Sequence, residues 1–492
     1  PPGPPPARRR QQDLGLRSPQ AAPGDRARVL REAPALRRGD DRWRVFFKPD
    51  RVFATPKASV QVLLHRPADS RADQVAGLVW QLSLADRLTE FVYPAKICQL
   101  DYAVSSSEEG IGITVGGYSD KLGLFLEEIV TKVQEFSGPT PEEFARALDL
   151  VKRGQSAFDK QPPYSFATYN ARLALTSPSF SIEFLRAQSA RTTREDVVRL
   201  SERLRDSSQS FFGQALLHGN LDSADADRIQ RTLERLQFKP QPLAGLARTR
   251  LTKLPKGQDN LLVTVHPNED DVNNAIWSVY HTRQDTDAVV MTLLLQSILE
   301  TPFFQQLRTE QQLGYIVQSS AARLTSGVGR LGLLAQSSTA TPDRLMDAAD
   351  GFMAKFRDVL LKLPAAEFAR YKAALEELIL TPAEALAEET SLWWKEISLF
   401  QYNWEQQAEE AEALRGVSQQ DLLAFWDSFF APSAPERQRF TTAVFAPKYR
   451  DAAERMATSR KAQGVSVVRN ASSFADALPK WPMVDRPPPP VR

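Results

Sequence analysis

Short segments in which hydrophobic and polar residues alternate are separated, along the first half of the chain, by longer segments in which apolar residues recur every three or four positions. The first pattern predicts strands and the second predicts helices with one apolar face. The predicted strands cover residues 45–47, 59–65, 101–106, 110–118 and 211–217, and the predicted helical regions cover residues 71–100, with a break at Pro94, 120–206 and 224–236. This order predicts an α+β unit with helices packed on a mostly antiparallel sheet.

The second half of the chain repeats this order. Its predicted strands cover residues 260–266, 274–280, 315–319, 327–337 and 439–445, and its predicted helical regions cover residues 285–300, 301–313, 342–401 and 419–429. Residues 312–320, QLGYIVQSS, align without a gap with residues 99–107, QLDYAVSSS, and six of the nine residues are identical. We therefore predict two homologous domains, at 43–238 and 259–483, joined by a Pro-rich polar linker at 239–258.

The two copies differ at one charged position. Arg308 in the later copy lies at the register of Ala95 in the earlier one, so the shared fold does not require the charge. Thr301 and Pro302 are suitable as N-cap and first residue of the helix that carries Arg308, and Gly314 fits the position just past its end. Tyr315 then begins the next strand. The earlier copy also has a tyrosine there, Tyr102, which favours a structural role for Tyr315, whereas Arg308 has no such counterpart.

Composition limits the classes of function. Hydrophobic residues make up 42% and charged residues 25% of the chain, and the net charge is only +2, so no broad field attracts nucleic acid or a membrane surface. We find no apolar run of the roughly 18 residues that a transmembrane helix needs. The single cysteine, Cys98, excludes an intrachain disulfide framework and multi-cysteine zinc motifs, and its neighbours Ile97 and Leu100 predict a buried helical thiol.

Both termini are predicted to be disordered. Residues 1–42 are rich in Pro and Arg and poor in large apolar groups, and residues 484–492 form a Pro-rich tail. The basic N-terminal segment is either an organellar transit peptide or a linker or the cut end of a longer protein. A linker or a cut end is favoured over a transit peptide, because the five early prolines of the segment oppose an amphipathic helix. We expect a soluble protein of the cytosol, with an organelle as the alternative if the segment is a presequence.

The sequence offers no complete catalytic motif. A hydrolytic zinc site needs three protein ligands, and the four histidines are dispersed, none with a second histidine at helical spacing. The nearest approach to such a motif begins at His266, where Pro267 and Asn268 would break the necessary helix. His218 ends a strand before a turn and is expected to make a structural hydrogen bond. A nucleophile elbow and a phosphate-binding loop are also missing from the sequence. We therefore predict no metal ligands in this chain.

One segment makes the chain recognisable. Residues 307–317 read LRTEQQLGYIV, and this sequence closely resembles the signature in the C-terminal half of insulysins, which belong to the pitrilysin/insulysin family of inverted-zinc-motif metallopeptidases. Further segments resemble the same half in the same order: residues 47–50, 56–58, 216–220, 272–276, 394–397 and 401–404. The resemblance extends from about residue 34 to about residue 482.

The resemblance implies a fold and a distribution of the catalytic residues among several domains. Members of this family have four homologous α+β domains of the LuxS/MPP-like metallopeptidase type, two in each half, and the halves close like a clamshell around a peptide chamber. This chain resembles the third and fourth domains. The zinc ligands and the glutamate base belong to the first domain, which is absent from this sequence. The Arg and Tyr of the signature reach the peptide at the cleavage site, and their positions here are Arg308 and Tyr315.

Two functions are consistent with this resemblance. The chain is either the non-zinc half of a zinc metalloendopeptidase, which degrades peptides and is inactive alone, or a zinc-less pseudopeptidase subunit that serves as a scaffold for a zinc-bearing subunit. Arg308 and Tyr315 favour the first, because a scaffold does not need them. The expected partners are an N-terminal zinc-bearing half, in the same chain or as a separate subunit, and peptide substrates. Peptide preference and homodimer formation stay open.

Overall fold

The computed structural model describes residues 15–68 and 74–491, which contain two large sheets of similar design and one small two-stranded sheet. The elements of the first half are α1 (Arg26–Arg31), β1 (Ala35–Gly39), β2 (Trp43–Pro49), β3 (Lys57–His65), α2 (Gln74–Ile97), β4 (Leu100–Ser106), β5 (Gly110–Tyr118), α3 (Ser119–Glu135), α4 (Pro141–Phe158), α5 (Pro163–Leu175), β6 (Thr176–Ser177), α6 (Ile182–Ser189), α7 (Arg194–Arg205), β7 (Ser210–Gly219), α8 (Ser223–Glu234), β8 (Lys239–Pro240) and β9 (Arg250–Leu251).

The second half repeats this plan with its own helices and strands. Its elements are β10 (Gln258–Val265), β11 (Asn274–His281), α9 (Thr286–Phe304), β12 (Ile316–Arg323), β13 (Gly329–Ser337), α10 (Pro342–Lys362), α11 (Ala365–Leu380), α12 (Leu386–Ser398), α13 (Gln406–Gly416), α14 (Gln419–Phe429), β14 (Gln438–Phe445), α15 (Arg450–Ala462), β15 (Ser466–Val468) and α16 (Ala471–Ala477). Prolines at or near helix starts divide the long helical regions that the sequence predicts at 120–206 and 342–401.

The two sheets have the same order in five strands and differ in the sixth, which is the antiparallel β1 in the first sheet and the parallel β15 in the second. The first sheet runs β4-β5-β3-β7-β2-β1, and the second runs β12-β13-β11-β14-β10-β15. In each sheet an edge hairpin is followed by two further antiparallel pairings and one parallel pairing, β2 with β7 and β10 with β14. The predicted fold class, two homologous α+β domains with mostly antiparallel sheets, is confirmed.

Each sheet buries one face under helices of its own half. The first core lies between sheet one and α2, α3, α4, α7 and α8, and the second lies between sheet two and α9, α10, α11, α13, α14 and α15. Burial of these apolar faces removes the nonpolar side chains from water and stabilises each layer.

The opposite face of each sheet is covered by a helix from the other half of the chain. Helix α5 places Phe166 and Ala167 against sheet two, and α12 places Trp393 and Ile397 against sheet one. The sequence analysis did not predict this exchange. An apolar helical pattern shows that a helix has a face to bury but not which sheet will receive it.

Several segments that the sequence predicts to be disordered or flexible are packed. Between residues 15 and 42, Val29 and Leu36 are buried, and Arg17 forms an ion pair with Asp225. Residues 239–258 do connect the two sheets, but Leu246 and Leu251 among them are buried. The tail up to residue 491 also has specific contacts, including a bridge between Val491 and Leu36. A few scattered apolar residues are therefore enough to order these Pro-rich segments, because the rest of the fold offers apolar surfaces on which they pack. The predicted disorder of residues 1–14 lies outside the described residues.

Two predictions about single helices are also wrong. Cys98 is exposed rather than buried, because α2 ends at Ile97, which is itself 68% exposed. Helix α2 also continues through Pro94 without a break. The helical stretch Thr286–Glu310 is long and apolar enough to cross a membrane by length and composition, contrary to the expectation from the sequence. Its residues Leu294, Leu295 and Ile298 lie in the core of the second half, as in the core helix of a globular domain.

Candidate functional site

The site predicted from the sequence lies where α9 ends. Asp285 caps the start of α9 by accepting a hydrogen bond from the Ala288 N–H at 2.7 Å, and the helix continues through Thr301 and Pro302. The prediction that these two residues begin a new helix is therefore wrong. Apolar packing along α9 in the core outweighs the local capping signal, and Pro302 is tolerated near the helix end.

Helix α9 widens into a π-helical turn at Gln305–Glu310, which carries Arg308. The Gln311 N–H bonds to the Gln306 carbonyl at 3.0 Å, five residues earlier, and this hydrogen bond closes the wide turn. Leu307 is fully buried and anchors the turn in the core. Wide turns of this kind occur frequently at functional sites, because they change the direction of the side chains that follow.

The connection from the π turn to β12 depends on two residues. Gln312 has a left-handed conformation, with φ of 52°, as does Gln99 at the same register of the first half, with φ of 57°. Gly314 does not have this conformation, so its predicted role just past the helix end is wrong. A Cβ atom at Gly314 would lie 2.0 Å from the Gln336 carbonyl oxygen. Glycine is needed here because the backbone of Gln336 approaches so closely.

Arg308 is held between two aromatic rings. Its guanidinium carbon lies 4.7 Å from the centre of the Tyr315 ring and 4.9 Å from the centre of the Phe304 ring. Such cation–π contacts fix the guanidinium over the ring faces while its N–H groups stay available to a ligand. Tyr315 is 82% exposed, and within residues 15–68 and 74–491 we find no hydrogen bond or ion pair of Arg308 or of the Tyr315 hydroxyl. We call these three residues the aromatic–arginine cluster.

The structure thus brings together the two residues predicted from the sequence and adds Phe304. The sequence analysis missed Phe304, although it lies one helical turn before Arg308, and such i,i+4 neighbours share a helix face. Its counterpart 213 residues earlier is Phe91, and both phenylalanines are partly exposed. An aromatic residue repeated at the ends of α2 and α9 was the signal that could have identified it.

The corresponding position in the first half, at the end of α2, has different side chains with different contacts. Ala95 packs against the first core in place of Arg308. Tyr102 is half-buried, its ring meets the Phe125 ring edge-on at 6.3 Å, and burial raises the pKa of its hydroxyl. The two tyrosines therefore share a backbone position but not an environment. The expectation that Tyr102 assigns a structural role to Tyr315 is not supported by this geometry.

The described residues do not fit a hydrolytic zinc ion. Across residues 15–68 and 74–491, no group of three His, Cys, Asp or Glu side chains is placed to hold a metal. His65 bonds to Gln214 at 2.7 Å, and burial lowers the pKa of His65 to about 4. His266 contacts the Gln161 carbonyl at 2.8 Å, and burial lowers the pKa of His281 to about 3.

His218 belongs to a buried polar network that attaches α12 to sheet one. Its ring nitrogens contact Thr390 at 2.7 Å and Glu389 at 3.1 Å, and Lys48 also lies 3.0 Å from Glu389. The structural hydrogen bond predicted for His218 is therefore confirmed. Burial opposes the charge on Glu389, but the hydrogen bond and charge of His218, with the charge of Lys48, hold the pKa of Glu389 below its usual range.

Two models of protein families match parts of the chain. Residues 18–188 match the middle or third domain of the M16 peptidases, and residues 294–394 match the fourth domain in the C-terminal lobe of proteins like the PQQ synthase PqqF. The matches lie in the first and second halves of the chain respectively. Their order agrees with the third and fourth domains that the sequence resemblance implies.

Curated relatives match over most of this chain. The insulin-degrading enzyme of Homo sapiens is 26% identical over 92% of this chain and 45% of its own length. The peroxisomal insulin-degrading enzyme-like 1 of Arabidopsis thaliana is 26% identical over 85% of this chain and 43% of its own length. The chain thus spans less than half the length of these curated relatives.

Solved structures show the same fold. Pitrilysin superposes with a TM-score of 0.79 and 19% identity over 92% of this chain and 47% of the pitrilysin chain. A protease from Helicobacter pylori superposes with a TM-score of 0.63 and 13% identity over 84% of this chain and 99% of its own. Sequence relatives, domain models and architecture agree: the homologues of this chain are insulin-degrading enzymes and related M16 peptidases, and its fold is that of pitrilysin.

Proposed function

We propose that this chain is the C-terminal, zinc-free half of an insulysin-like zinc metalloendopeptidase, and that Arg308 and Tyr315 position the peptide and stabilise the transition state of its cleavage. The aromatic–arginine cluster carries this proposal. An arginine and a tyrosine without described hydrogen-bond partners are exposed together in the second half, while the first half has an alanine and a half-buried tyrosine at the same register. The shared fold does not require an exposed arginine and tyrosine at these positions, whereas the binding of a ligand would explain both.

The chemistry of the two side chains suits a peptide backbone. The guanidinium of Arg308 has five N–H donors and can bind carbonyl oxygens, and its stacking between Phe304 and Tyr315 fixes its plane. The Tyr315 hydroxyl can donate a hydrogen bond to the oxyanion that forms when water adds to the scissile carbonyl. A donor that is already in position costs no reorganisation when charge develops.

The hydrolytic centre would belong to a different part of the enzyme. The described side chains offer no site for a metal ion, so we assign the zinc ion and the general base to an N-terminal half, in the same chain or in a separate subunit. The present chain would bind and orient peptides without cleaving them alone. Cytosolic location is part of this proposal, and the peroxisomal relative from Arabidopsis makes a peroxisome the first alternative to examine.

The test is the turnover of a fluorogenic peptide by the complete enzyme. We expect Arg308→Ala and Tyr315→Phe each to lower kcat on the order of 10²- to 10³-fold, which is the usual cost of one lost donor to an oxyanion. Tyr102→Phe removes the same hydroxyl at the same register of the first half, and we expect no change in kcat from it.

Unchanged kcat in Arg308→Ala and Tyr315→Phe, with circular dichroism like that of the wild type, would refute the catalytic proposal. The scaffold alternative makes a different prediction for the same preparation. A natural assembly that contains this chain but has neither peptidase activity nor bound zinc would establish a pseudopeptidase.

A further inference from the structure

Three glutamate side chains are buried where α12, α13 and the segment between these helices pack together. Glu389, Glu396 and Glu410 expose only 3%, 7% and 6% of their surface. A carboxylate that leaves water loses its hydration, and proteins offset this loss with a nearby cation or with several hydrogen bonds. The partners of each buried carboxylate therefore show whether its charge is compensated within the chain.

Two of the three carboxylates have a cation at ion-pair distance. The Glu389 carboxylate lies 3.0 Å from the ammonium of Lys48, which belongs to β2. The Glu410 carboxylate lies 3.3 Å from the guanidinium of Arg323, which belongs to β12. Each of these buried charges is therefore compensated by a cation from a neighbouring strand.

Glu396 lacks such a cation. Its Oε2 accepts a hydrogen bond from the Asn403 N–H at 3.0 Å, but among the residues that the structure describes no donor reaches its Oε1 and no cation lies at ion-pair distance. Lys395 precedes it on α12, and adjacent residues of a helix do not face each other. Burial raises the pKa of the Glu396 carboxyl above its usual range. Glu396 is thus a buried acid with one oxygen free to accept a hydrogen bond.

Glu396 lines a pocket of about 180 Å³ between α1, the end of α11, α12 and the start of α13. The apolar wall of this pocket includes Leu30, Leu380, Leu392, Trp393 and Trp404. The rings of Trp393 and Trp404 meet edge-on, with 5.6 Å between their centres. An apolar cavity of about 150 Å³ is large enough to bind benzene. The pocket can therefore hold one compact ligand of about six heavy atoms beside the Glu396 carboxylate.

The pocket opens into a surface groove between α11 and α12, since Leu392 and Lys395 line both of them. The groove is also lined by Glu384 and Glu388, so charges of both signs lie along it. Arg31 lines the pocket from α1 and is exposed. The entrance therefore does not select strongly for one sign of charge, and the carboxylate inside the pocket favours a cation.

The carboxylate and the aromatic wall together suit one class of ligand. The Oε1 of Glu396 can accept a hydrogen bond, and a hydrogen bond between a charged donor and a carboxylate is stronger than one between neutral groups. Indole rings attract cations and also offer an apolar surface to an alkyl chain. A primary ammonium has three N–H donors, whereas a quaternary ammonium has none and an anion would be repelled by the carboxylate.

We infer that this pocket binds a primary ammonium group carried on an alkyl chain, with the nitrogen at Glu396 and the chain against Trp393 and Trp404. A free alkylamine and the side chain of a lysine both present this chemistry. No residue of the aromatic–arginine cluster lines the pocket, so binding here is independent of the roles proposed for Arg308 and Tyr315.

The probe is n-pentylammonium, and its binding to the full 492-residue chain is measured by isothermal titration calorimetry at neutral pH. Glu396→Gln keeps the shape of the side chain and an oxygen for the Asn403 N–H but removes the charge. We expect this variant to bind the probe on the order of 10- to 100-fold more weakly, the value of one hydrogen bond to a charged group. Glu388→Gln removes the same charge from the exposed groove and is the matched control, with affinity like that of the wild type.

A second measurement does not depend on the folding of any variant. 1-Pentanol has as many heavy atoms as n-pentylammonium but no charge, and we expect it to bind the wild-type chain at least about 10-fold more weakly. Equal affinity of the two probes would overturn the inference. Absence of n-pentylammonium binding to the wild type, or unchanged affinity in Glu396→Gln, would also overturn it.

A third probe distinguishes the two sources of the ammonium group. Nα-acetyl-lysine N-methylamide has the same ammonium at the end of a side chain that is attached to a peptide-like backbone. Affinity similar to that of n-pentylammonium would assign the pocket to a lysine side chain of a peptide or protein. Binding of n-pentylammonium alone would assign it to a free alkylamine, and both results support the ammonium site.

Discussion

The ends of α2 and α9 have the same backbone design but differ in the side chains that they expose to solvent. Both lead through a left-handed glutamine into an edge strand, and both place a tyrosine beside that strand. In the first half Tyr102 is half-buried and Ala95 packs on the core, whereas in the second half Tyr315 is exposed against Arg308. A duplicated fold can thus keep the same local backbone geometry in both copies while only one copy exposes a stacked arginine and tyrosine.

The outer faces of the two sheets differ in a related way. Helix α12 is attached to sheet one by buried charges, with Glu389 between Lys48 and His218. Helix α5 is attached to sheet two mainly by apolar contacts, together with a neutral hydrogen bond of 2.8 Å from the Thr442 hydroxyl to the Ala167 carbonyl. Both exchanged helices thus have apolar contacts with their sheet, and buried charges are added to these contacts for α12 alone.

The largest effect on stability should come from breaking the ionic attachment. Lys48→Met removes the ammonium group and leaves the buried Glu389 carboxylate with His218 as its one remaining ion-pair partner, and breaking a buried ion pair typically costs about 3–5 kcal/mol. Thr442→Val removes the neutral hydrogen bond of the other helix and should cost about 1–3 kcal/mol. Urea unfolding of both variants measures the difference, and equal losses would show that the charge on α12 has no special part in the attachment.

A smaller loss of stability is expected from a substitution at Gly314, in the connection between α9 and its edge strand β12. Gly314→Ala places a Cβ against the Gln336 carbonyl oxygen, and the backbone shift that relieves this overlap should cost about 1–3 kcal/mol. It should also displace Tyr315 and lower the activity of the complete enzyme. Asp101 lies at the same register of the first half, so Asp101→Ala, which leaves the Cβ in place, is the control and should be nearly neutral. Wild-type stability and activity in Gly314→Ala would mean that Gln336 can move away.

The last comparison concerns the pH dependence of stability, which is negligible at neutral pH and grows as the pH falls. His65 and His281 are neutral in the fold because burial lowers their pKa values to about 4 and about 3, whereas the unfolded chain takes up protons near pH 6.5. Each histidine therefore lowers stability as the pH falls from 6.5 toward its folded pKa, by at most about 1.4 kcal/mol per pH unit. The thermal midpoints of His65→Asn and His281→Asn should depend less on pH than the wild type between pH 6.5 and 4.5. A slope like that of the wild type in both variants would contradict these shifts.

The sequence was sufficient for the architecture and for the pair at the site. Alternation and helical periodicity predicted five strands of each sheet but not β1 or β15, and the repeat at 99–107 and 312–320 predicted the duplication. Arg308 stood out because its register in the other copy has an alanine. These features depend on local pattern and on comparison within the chain, both of which a sequence displays directly.

The features that the sequence did not reveal depend on tertiary contacts. Thr301 and Pro302 carry a good capping signal, but the core contacts of α9 continue the helix through them. The role of Gly314 depends on the approach of Gln336, 22 residues away in the chain. The buried position of Leu36 requires a sheet that forms mostly from later residues. No local pattern contains this information.

The reciprocal placement of α5 and α12 has a consequence for what counts as a folding unit. One face of each sheet is covered in part by a helix from the opposite half, so neither half, expressed separately, would have all of its apolar surface shielded from water. A peptide-bond cut between residues 239 and 258 would produce two interlocked fragments that behave as a heterodimer. The duplication that is visible in the sequence therefore coexists with an exchange of helices, so that the repeat in the sequence and the packed unit in the structure are not the same set of residues.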